Sequence, residues 1–504
     1  MNSDKFENMV ENNEEVSTDK KRVFQKIQNH AKLIINDLVV NNEYKSFIHK
    51  YKKEDVIRWL DNPSFFSYKL IEISNYLYAV SNYYKRLINY FALIHLLPYV
   101  ILPNEVDFSR KNTVKRDYKK ASKILKNINP RRTFSNIFKI CFRDDVFYGA
   151  TFHGDDFDSF YVKPLPSKYC MISYVQDGIY GFRFNFAYFK AYPNKLKMYG
   201  KWFEDQFNLL KSNKKVVNGS DYWVQVPLEV GFAMKWDETV DYPLPPLVGV
   251  FASLFDIEDY KKLKKIRQEI GNYKLLVMDY PYDDNGEPLI DWDEIEGYYD
   301  MLNASVPDNI GTTVVPNGKL TDISFERNGE STADLVEEAT NDFYNNAGVS
   351  QLLFGSSKSG NSIISASTEI DSTYMDSLIR QVACYLNYVL RYAFNGKAKF
   401  KVQLLDVTIF NKDTQVKNLL EMGTYGISGT ISKIAAIQGM DLCDLDNMSS
   451  LENDVFDLNN KFIPFKSSHT QTDTSNTGGA PTKDDEEISD STNITRERDE
   501  TKTS

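Results

Sequence analysis

Cysteine and histidine are scarce in this chain, with four of the first and five of the second among 504 residues. Cys141, Cys170, Cys384 and Cys443 stand too far apart for a Cys-x-x-Cys clip, and the histidines show no ligand spacing. Neither a disulfide framework nor a metal site is expected, and free thiols in a reducing compartment fit. Long apolar runs are missing too. The most apolar stretch, 91–102, contains His95 and Pro98 and falls well short of the about 20 residues that span a bilayer. The first 21 residues, MNSDKFENMVENNEEVSTDKK, are polar and acidic and lack the apolar core of a secretory signal. A soluble protein made in the cytoplasm, with no membrane partner, is expected. Positive charge is also in deficit: 60 Lys and Arg face 70 Asp and Glu, and the formal charge of −10 opposes wholesale wrapping by nucleic acid.

Apolar and aromatic residues, by contrast, are plentiful. At 42% hydrophobic and 14% aromatic, the chain has material for a large core and is not globally disordered. Its length suggests roughly two to four structural units. Residues 1–19 are expected to be disordered. Helical spacing runs through 20–40 (Val23, Ile27, Ala31, Ile34, Ile35, Leu38) and through 68–97, which Pro98 and Pro103 end. Between 110 and 132, ten Lys and Arg are opposed by Asp117 alone. Strand patterns follow at 147–152, 169–175, 181–186 and 222–227, separated by Asp, Gly and Asn turns.

A proline joint, Pro243-Leu-Pro-Pro246, precedes a helix at 256–270, with Asp256 as N-cap and Gly271 as C-cap. Its apolar stripe, including Leu263 and Ile266, is narrow, and the other faces carry Lys261, Lys262, Lys264, Lys265 and Arg267. Residues 272–330 read as a compact insert: a strand at 273–278, a helix at 291–303, and strands at 312–315 and 320–325 joined as a hairpin by Asn317-Gly318. Ser331-Thr-Ala-Asp334 forms a capping box for a second helix with Leu335, Val336, Ala339 and Phe343 on one stripe and Asp334, Glu337, Glu338 and Asp342 elsewhere. Stripes this narrow suit packing against further copies of the chain better than burial in one globule. A long helix over 365–394, a strand at 399–410 and helices at 413–422 and 428–438 come next. Everything after Phe465 lacks aromatics and reads as a disordered acidic tail.

Between these helices lies the loop Gly355-Ser-Ser-Lys-Ser-Gly-Asn-Ser362. It approaches the phosphate-cradling pattern G-x-x-x-x-G-K-[ST], but Asn361 occupies the lysine position and no strand precedes it, so a nucleotide site is not supported. Asp283, Asn285, Glu287 and Glu294 fall at calcium-loop positions, yet Pro288 replaces the required glycine and a plain turn is the better reading. Asp155-Asp156-Phe-Asp158 likewise reads as a turn. Acid pairs such as Glu337/Glu338 and Asp291/Asp293 sit beside nothing that marks a substrate cleft, so exposed helix carboxylates are expected. The basic segment 110–132 suits either phosphate contact or a solvated or inter-subunit face; few aromatics are interleaved, which argues against base stacking.

The order of elements resembles the portal proteins of tailed bacteriophages, particularly those of Gram-positive hosts. The likeness is carried by Pro245-Pro-Leu-Val-Gly-Val-Phe-Ala-Ser-Leu-Phe-Asp-Ile-Glu-Asp-Tyr260, Gly271-Asn-Tyr-Lys-Leu-Leu276, Asn346-Ala-Gly-Val-Ser350 with Leu353-Phe-Gly355 and Ser359-Gly360, and the tail piece Gly478-Gly-Ala-Pro-Thr-Lys-Asp-Asp-Glu-Glu487. The resemblance implies an α+β subunit with a wing (20–250), a first stem helix (251–271), a clip (272–330), a second stem helix (331–348) and a tunnel loop (349–365). A long helix with a returning wing strand (366–411), a crown (412–464) and a tail (465–504) complete it. It implies a ring of about twelve copies at a capsid vertex of the virion, assembled in the host cytoplasm and passing double-stranded DNA. Its partners would be terminase, capsid or scaffold proteins and a head–tail adaptor, with neither cofactor nor catalytic residue. In that picture Ser356, Ser357, Lys358, Ser359 and Gly360 face the DNA channel, and Asp334, Glu337 and Glu338 line it. Leu263, Ile266, Leu335 and Phe343 pack between subunits. A nucleotide-dependent DNA-handling enzyme and another virion collar or adaptor protein are the alternatives.

Overall fold

The computed structural model describes residues 21–22, 25, 50–154, 157–212, 222–272, 274–280, 283, 289–306, 310–316, 321–324, 332–349, 353 and 361–461. Most of the 20–40 helix, the first 19 residues and the 465–504 tail lie outside them. The fold is α+β, and the chain divides into two compact units, 1–443 and 444–504. The described part of the second unit is helical, ending in Leu458–Lys461.

From Lys53 the first unit runs through three helices, α1 (Lys53–Leu60), α2 (Pro63–Val80) and α3 (Asn82–Leu93). The single helix expected over 68–97 is two. Ser81 adopts extended backbone (φ −97°, ψ 116°) and its hydroxyl accepts from the Tyr84 amide at 3.4 Å, so one side chain stops one helix and caps the next. Prolines 98 and 103 bracket a strand, β1 (Tyr99–Pro103), which pairs antiparallel with β11 (Phe400–Leu404) far along the chain.

The basic segment forms α4 (Lys111–Ile128), followed at once by α5 (Pro130–Asp144). Asn129 makes the corner: its left-handed backbone (φ 46°) ends α4, its side chain accepts from Arg132 N at 3.2 Å, and Pro130 supplies the first position of α5. A six-stranded antiparallel sheet comes next, built from β2 (Val146–His153), β3 (Phe160–Pro164), β4 (Cys170–Gln176), β5 (Ile179–Asn185), β6 (Trp223–Gln225) and β7 (Gly231–Lys235). Its order is β3-β2-β7-β5-β4, with β6 also on β5. The four expected strands are present. Strand β7 had no period-2 signal because all five of its residues are buried. Asp177 and Gly178, both at positive φ, close the β4–β5 hairpin. An aromatic cluster of Phe184, Phe186, Phe189, Phe203 and Phe207 packs this sheet against α6 (Lys201–Ser212).

One buried ion pair ties these parts together. Asp145, fully buried just beyond α5, accepts from Lys235 Nζ at 2.6 Å and from the amides of Asp237 and Leu244 at 3.0 and 3.2 Å. Burial pushes its carboxyl above the usual carboxylate range, against the opposing pull of Lys235. The main chain of Lys235 is held in turn by Gln381 on α11 (Asp376–Ala393): its amide donates to Gln381 Oε1 at 3.1 Å, and its carbonyl accepts from Nε2 at 2.7 Å.

Removing one partner leaves the other as an uncompensated buried charge. Lys235→Met should therefore lower unfolding free energy by about 3–5 kcal/mol, and adding Asp145→Asn should recover at least half of that loss. Urea unfolding of the single and double variants measures both.

Candidate functional site

Two helices bracket the insert, α7 (Phe251–Asn272) and α9 (Thr332–Asn346). Helix α7 begins five residues before the start that the Asp256 cap predicts. Phe251, Leu254, Phe255 and Ile257 all bury in the main core, and that burial extends the helix past the local capping signal at Asp256. Asp256 instead lies inside the helix and pairs with Lys53 of α1. Gly271 is also helical, and no cap.

Burial along the two helices is complementary. In α7 the residues from Phe251 to Glu258 are mostly buried, while none from Asp259 to Ile266 is. In α9 it is the end that buries, through Ala339, Phe343 and Tyr344, with Ala347 just beyond, and Glu337, Glu338 and Asp342 are exposed. Asn346 Nδ2 donates to Ser253 Oγ at 2.9 Å, joining the end of α9 to the start of α7. The two helices are thus antiparallel, rooted together in the core, with their other halves standing clear of it.

Those free halves carry the insert, whose described residues form a three-stranded sheet of order β10-β8-β9 and one helix: β8 (Lys274–Tyr280), α8 (Trp292–Ser305), β9 (Ile310–Pro316) and β10 (Thr321–Ser324). The expected hairpin between the last two strands does not form. Strand β9 pairs parallel with β8 through the α8 crossover, and β10 pairs antiparallel with the other edge of β8. The apolar centre of β8, Leu275-Leu-Val-Met278, takes both neighbours, overriding the Asn317-Gly318 turn signal. Trp292, Ile295 and Tyr299 are the buried residues of α8. Arg22 bonds Asp293 and Glu296 of α8, each at 2.8 Å, from the far end of the sequence.

Residues 354–360, which hold Ser356, Ser357, Lys358, Ser359 and Gly360, lie outside the described residues. Both flanks are anchored. On one side Ala347 and Val349 are buried around Gly348, whose φ of +71° turns the chain out of α9. On the other, α10 (Asn361–Ser372) and α11 are separated by a turn at Thr373–Met375, so the helix expected over 365–394 is broken. Three side chains hold that break. Tyr90 OH donates to Asp371 Oδ2 at 2.7 Å, His95 Nε2 meets Ser372 O at 3.1 Å, and Trp236 Nε1 donates to Tyr374 O at 2.8 Å. Nothing local in the sequence marks these contacts, which span more than a hundred residues.

The remaining expected residues separate by burial. Asp334 is in the first turn of α9, and Glu337 and Glu338 are exposed one turn on. Leu263 is 48% exposed, and Ile266 and Leu335 are half-buried. Phe343 corrects the sequence reading: it is fully buried in its own chain, edge-on to Tyr83 and Tyr344 at 6.2 and 5.1 Å, so it does not pack between subunits. The stripe that looked too narrow for a core is wide enough because α7 and the first helices share it. Cys141 and Cys170 are buried, and burial pushes both thiols up. Among the described residues no cluster of His, Cys, Asp or Glu suits a metal ion, and no helix is long and apolar enough to cross a membrane. Asn285 and Glu287 of the calcium-loop pattern lie outside the described residues.

Phe343→Asp should cost about 3 kcal/mol or more, by placing a charge in the core. Leu263→Asp, on the exposed half of α7, should shift the stability of the monomer by no more than about 0.5 kcal/mol. Thermal melts separate the two.

No protein-family profile and no curated protein sequence matches the chain. Among solved structures it is similar to a chain of the virion of a native gene transfer agent (GTA) particle, with 11% identity and TM-score 0.42 over 74% of this chain and 93% of that one. It is similar to a chain in the neck of an empty GTA particle, computed with C6 symmetry, at 12% identity and TM-score 0.42 over 74% and 93%. A chain in the neck of a native GTA particle, computed with C12 symmetry, is similar at 13% identity and TM-score 0.40 over 72% and 91%.

Proposed function

We propose that this protein is the ring-forming portal subunit of a tailed-phage-like virion, a structural conduit for double-stranded DNA and a docking platform for terminase and a head–tail adaptor. One observation carries the reading: an antiparallel helix pair rooted in the core at one end, bearing a separate βαβ-containing insert at the other, and returning into a loop whose two flanks are pinned to the body. A ring needs an element that reaches from each subunit's core to its neighbours, and the exposed half of α7, with Lys262, Leu263 and Lys265, offers that surface. The insert projects beyond it as the clip that meets terminase or adaptor. Glu337 and Glu338 face the channel and repel phosphate, so DNA slides without sticking. The 354–360 loop contributes one Lys358 per subunit, a circle of single positive charges that touches passing phosphates weakly and without sequence preference. The role is mechanical, and no catalytic step is assigned.

Negative-stain imaging of the purified protein tests the assembly. Rings with a central hole are expected, and a monodisperse monomer across assembly concentrations, or NTP hydrolysis by the purified chain, would refute the reading. Within the ring, Lys358→Glu should leave assembly and empty capsids intact while lowering the DNA packaged or retained. Normal filling in that variant would reduce the loop to a connector.

A further inference from the structure

Helix α4 divides into two arcs. Placed at about 100° per residue, Lys111, Lys115, Arg116, Lys119, Lys123 and Lys126 share one arc of about 140°, with only Asn112 and Ser122 among them. All six cations are exposed. The opposite arc, Asp117, Ala121, Ile124, Leu125 and Ile128, is buried. Arg131 and Arg132, exposed at the start of α5, continue the basic surface past the Asn129 corner.

Two buried acids lie against this arc and pair with two of its cations, Arg116 and Lys126. Asp117 is buried against Lys399 at 2.5 Å and Arg116 at 3.5 Å; despite burial, these cations hold its carboxyl below the usual range. Asp441 is buried as well, accepting from Ser122 and from Lys126 at 3.1 Å. Two carboxylates against six exposed cations leave the arc positive in a chain whose net charge is −10, because screening confines the reach of more distant acids to about 10 Å.

We infer that this face binds the phosphate backbone of duplex DNA. The arc spans about 22 Å along a rigid helix, a length over which duplex DNA presents a dense row of phosphates. It contains no aromatic residue to stack on an unpaired base, which disfavours single strands. It contains no apolar residue either, and so lacks the core that a protein partner's contact requires. The contact is independent of sequence and lies on α4 and the start of α5. It goes beyond the portal reading and does not depend on ring formation.

The test is fluorescence anisotropy of the full chain with a labelled mixed-sequence duplex of about 30 base pairs, from about 50 to about 200 mM salt. Neutralising roughly five phosphates predicts a log–log salt slope of about −4 to −5. Lys119→Glu/Lys123→Glu should weaken binding at least about tenfold and bring the slope nearer zero by about two. Lys119→Gln/Lys123→Gln, with an unchanged melting curve, should show a smaller loss in the same direction. The control Lys168→Glu/Lys197→Glu changes charge equally on exposed lysines beyond α4 and should leave affinity within about twofold. The inference fails if no salt-dependent binding is seen at about 50 mM, or if both Glu pairs lose affinity equally. It also fails if phosphatidylserine vesicles bind where DNA does not, or if the α4 reversals alter oligomeric state while DNA affinity stays constant.

Discussion

The Asp145–Lys235 pair is the contact on which the arrangement of the first unit depends. A buried ion pair adds little net stability over an apolar replacement, because desolvation offsets most of its attraction. Its value here is positional. Asp145 sits where α5 gives way to the sheet, Lys235 ends the central strand β7, and the amides of Asp237 and Leu244 begin the path toward α7. Gln381 adds α11 to the same point through the main chain of Lys235. Four parts of the chain, separated by up to 236 residues of sequence, converge within hydrogen-bonding distance of two residues. Separating the two side chains would leave each charge buried and uncompensated.

That convergence sets the base from which the helix pair rises. Since α7 starts a few residues after Leu244, its direction is fixed by the anchored segment before it. Its first half is then held among aromatic residues, Tyr84 lying edge-on to Phe251 at 5.6 Å. Helix α9 returns to the same base, and beyond residues 354–360 the chain is pinned where α10 meets α11, through Tyr90, His95 and Trp236. The exposed halves of α7 and α9 thus extend from a stiff platform.

Local chemistry was legible in the sequence and long-range chemistry was not. The amphipathic helices, the four alternating strands and the order of helix, insert and helix followed from periodicity and turn residues. Strand β7 escaped because full burial erases alternation, and the Ser81 break because a serine inside a helical stripe reads equally as interior or cap. The Asp256 cap failed because buried aromatics before it outweighed one hydrogen bond, and the Asn317-Gly318 hairpin because a third strand competed for the same edges. Phe343 was misassigned for a related reason: a narrow stripe seen alone does not reveal how many helices will share it. Of the candidate site, the exposure of Glu337 and Glu338 was legible in the sequence, whereas the division of α7 into a buried and an exposed half was not. The pins on the loop flanks link residues too distant for any local pattern to reveal.

The topology of the insert has a further consequence. Strand β8 begins two residues after α7 ends, and its first residue, Lys274, pairs with Ser324, the last of β10. The chain therefore enters and leaves the insert at adjacent positions, about 5 Å apart as partners in an antiparallel ladder. A module whose ends meet places no strain on the scaffold that carries it, whatever its internal length. Residues 274–324 have the geometry of an exchangeable cassette. Changes in their internal length leave the two junctions, and the helices they join, in place.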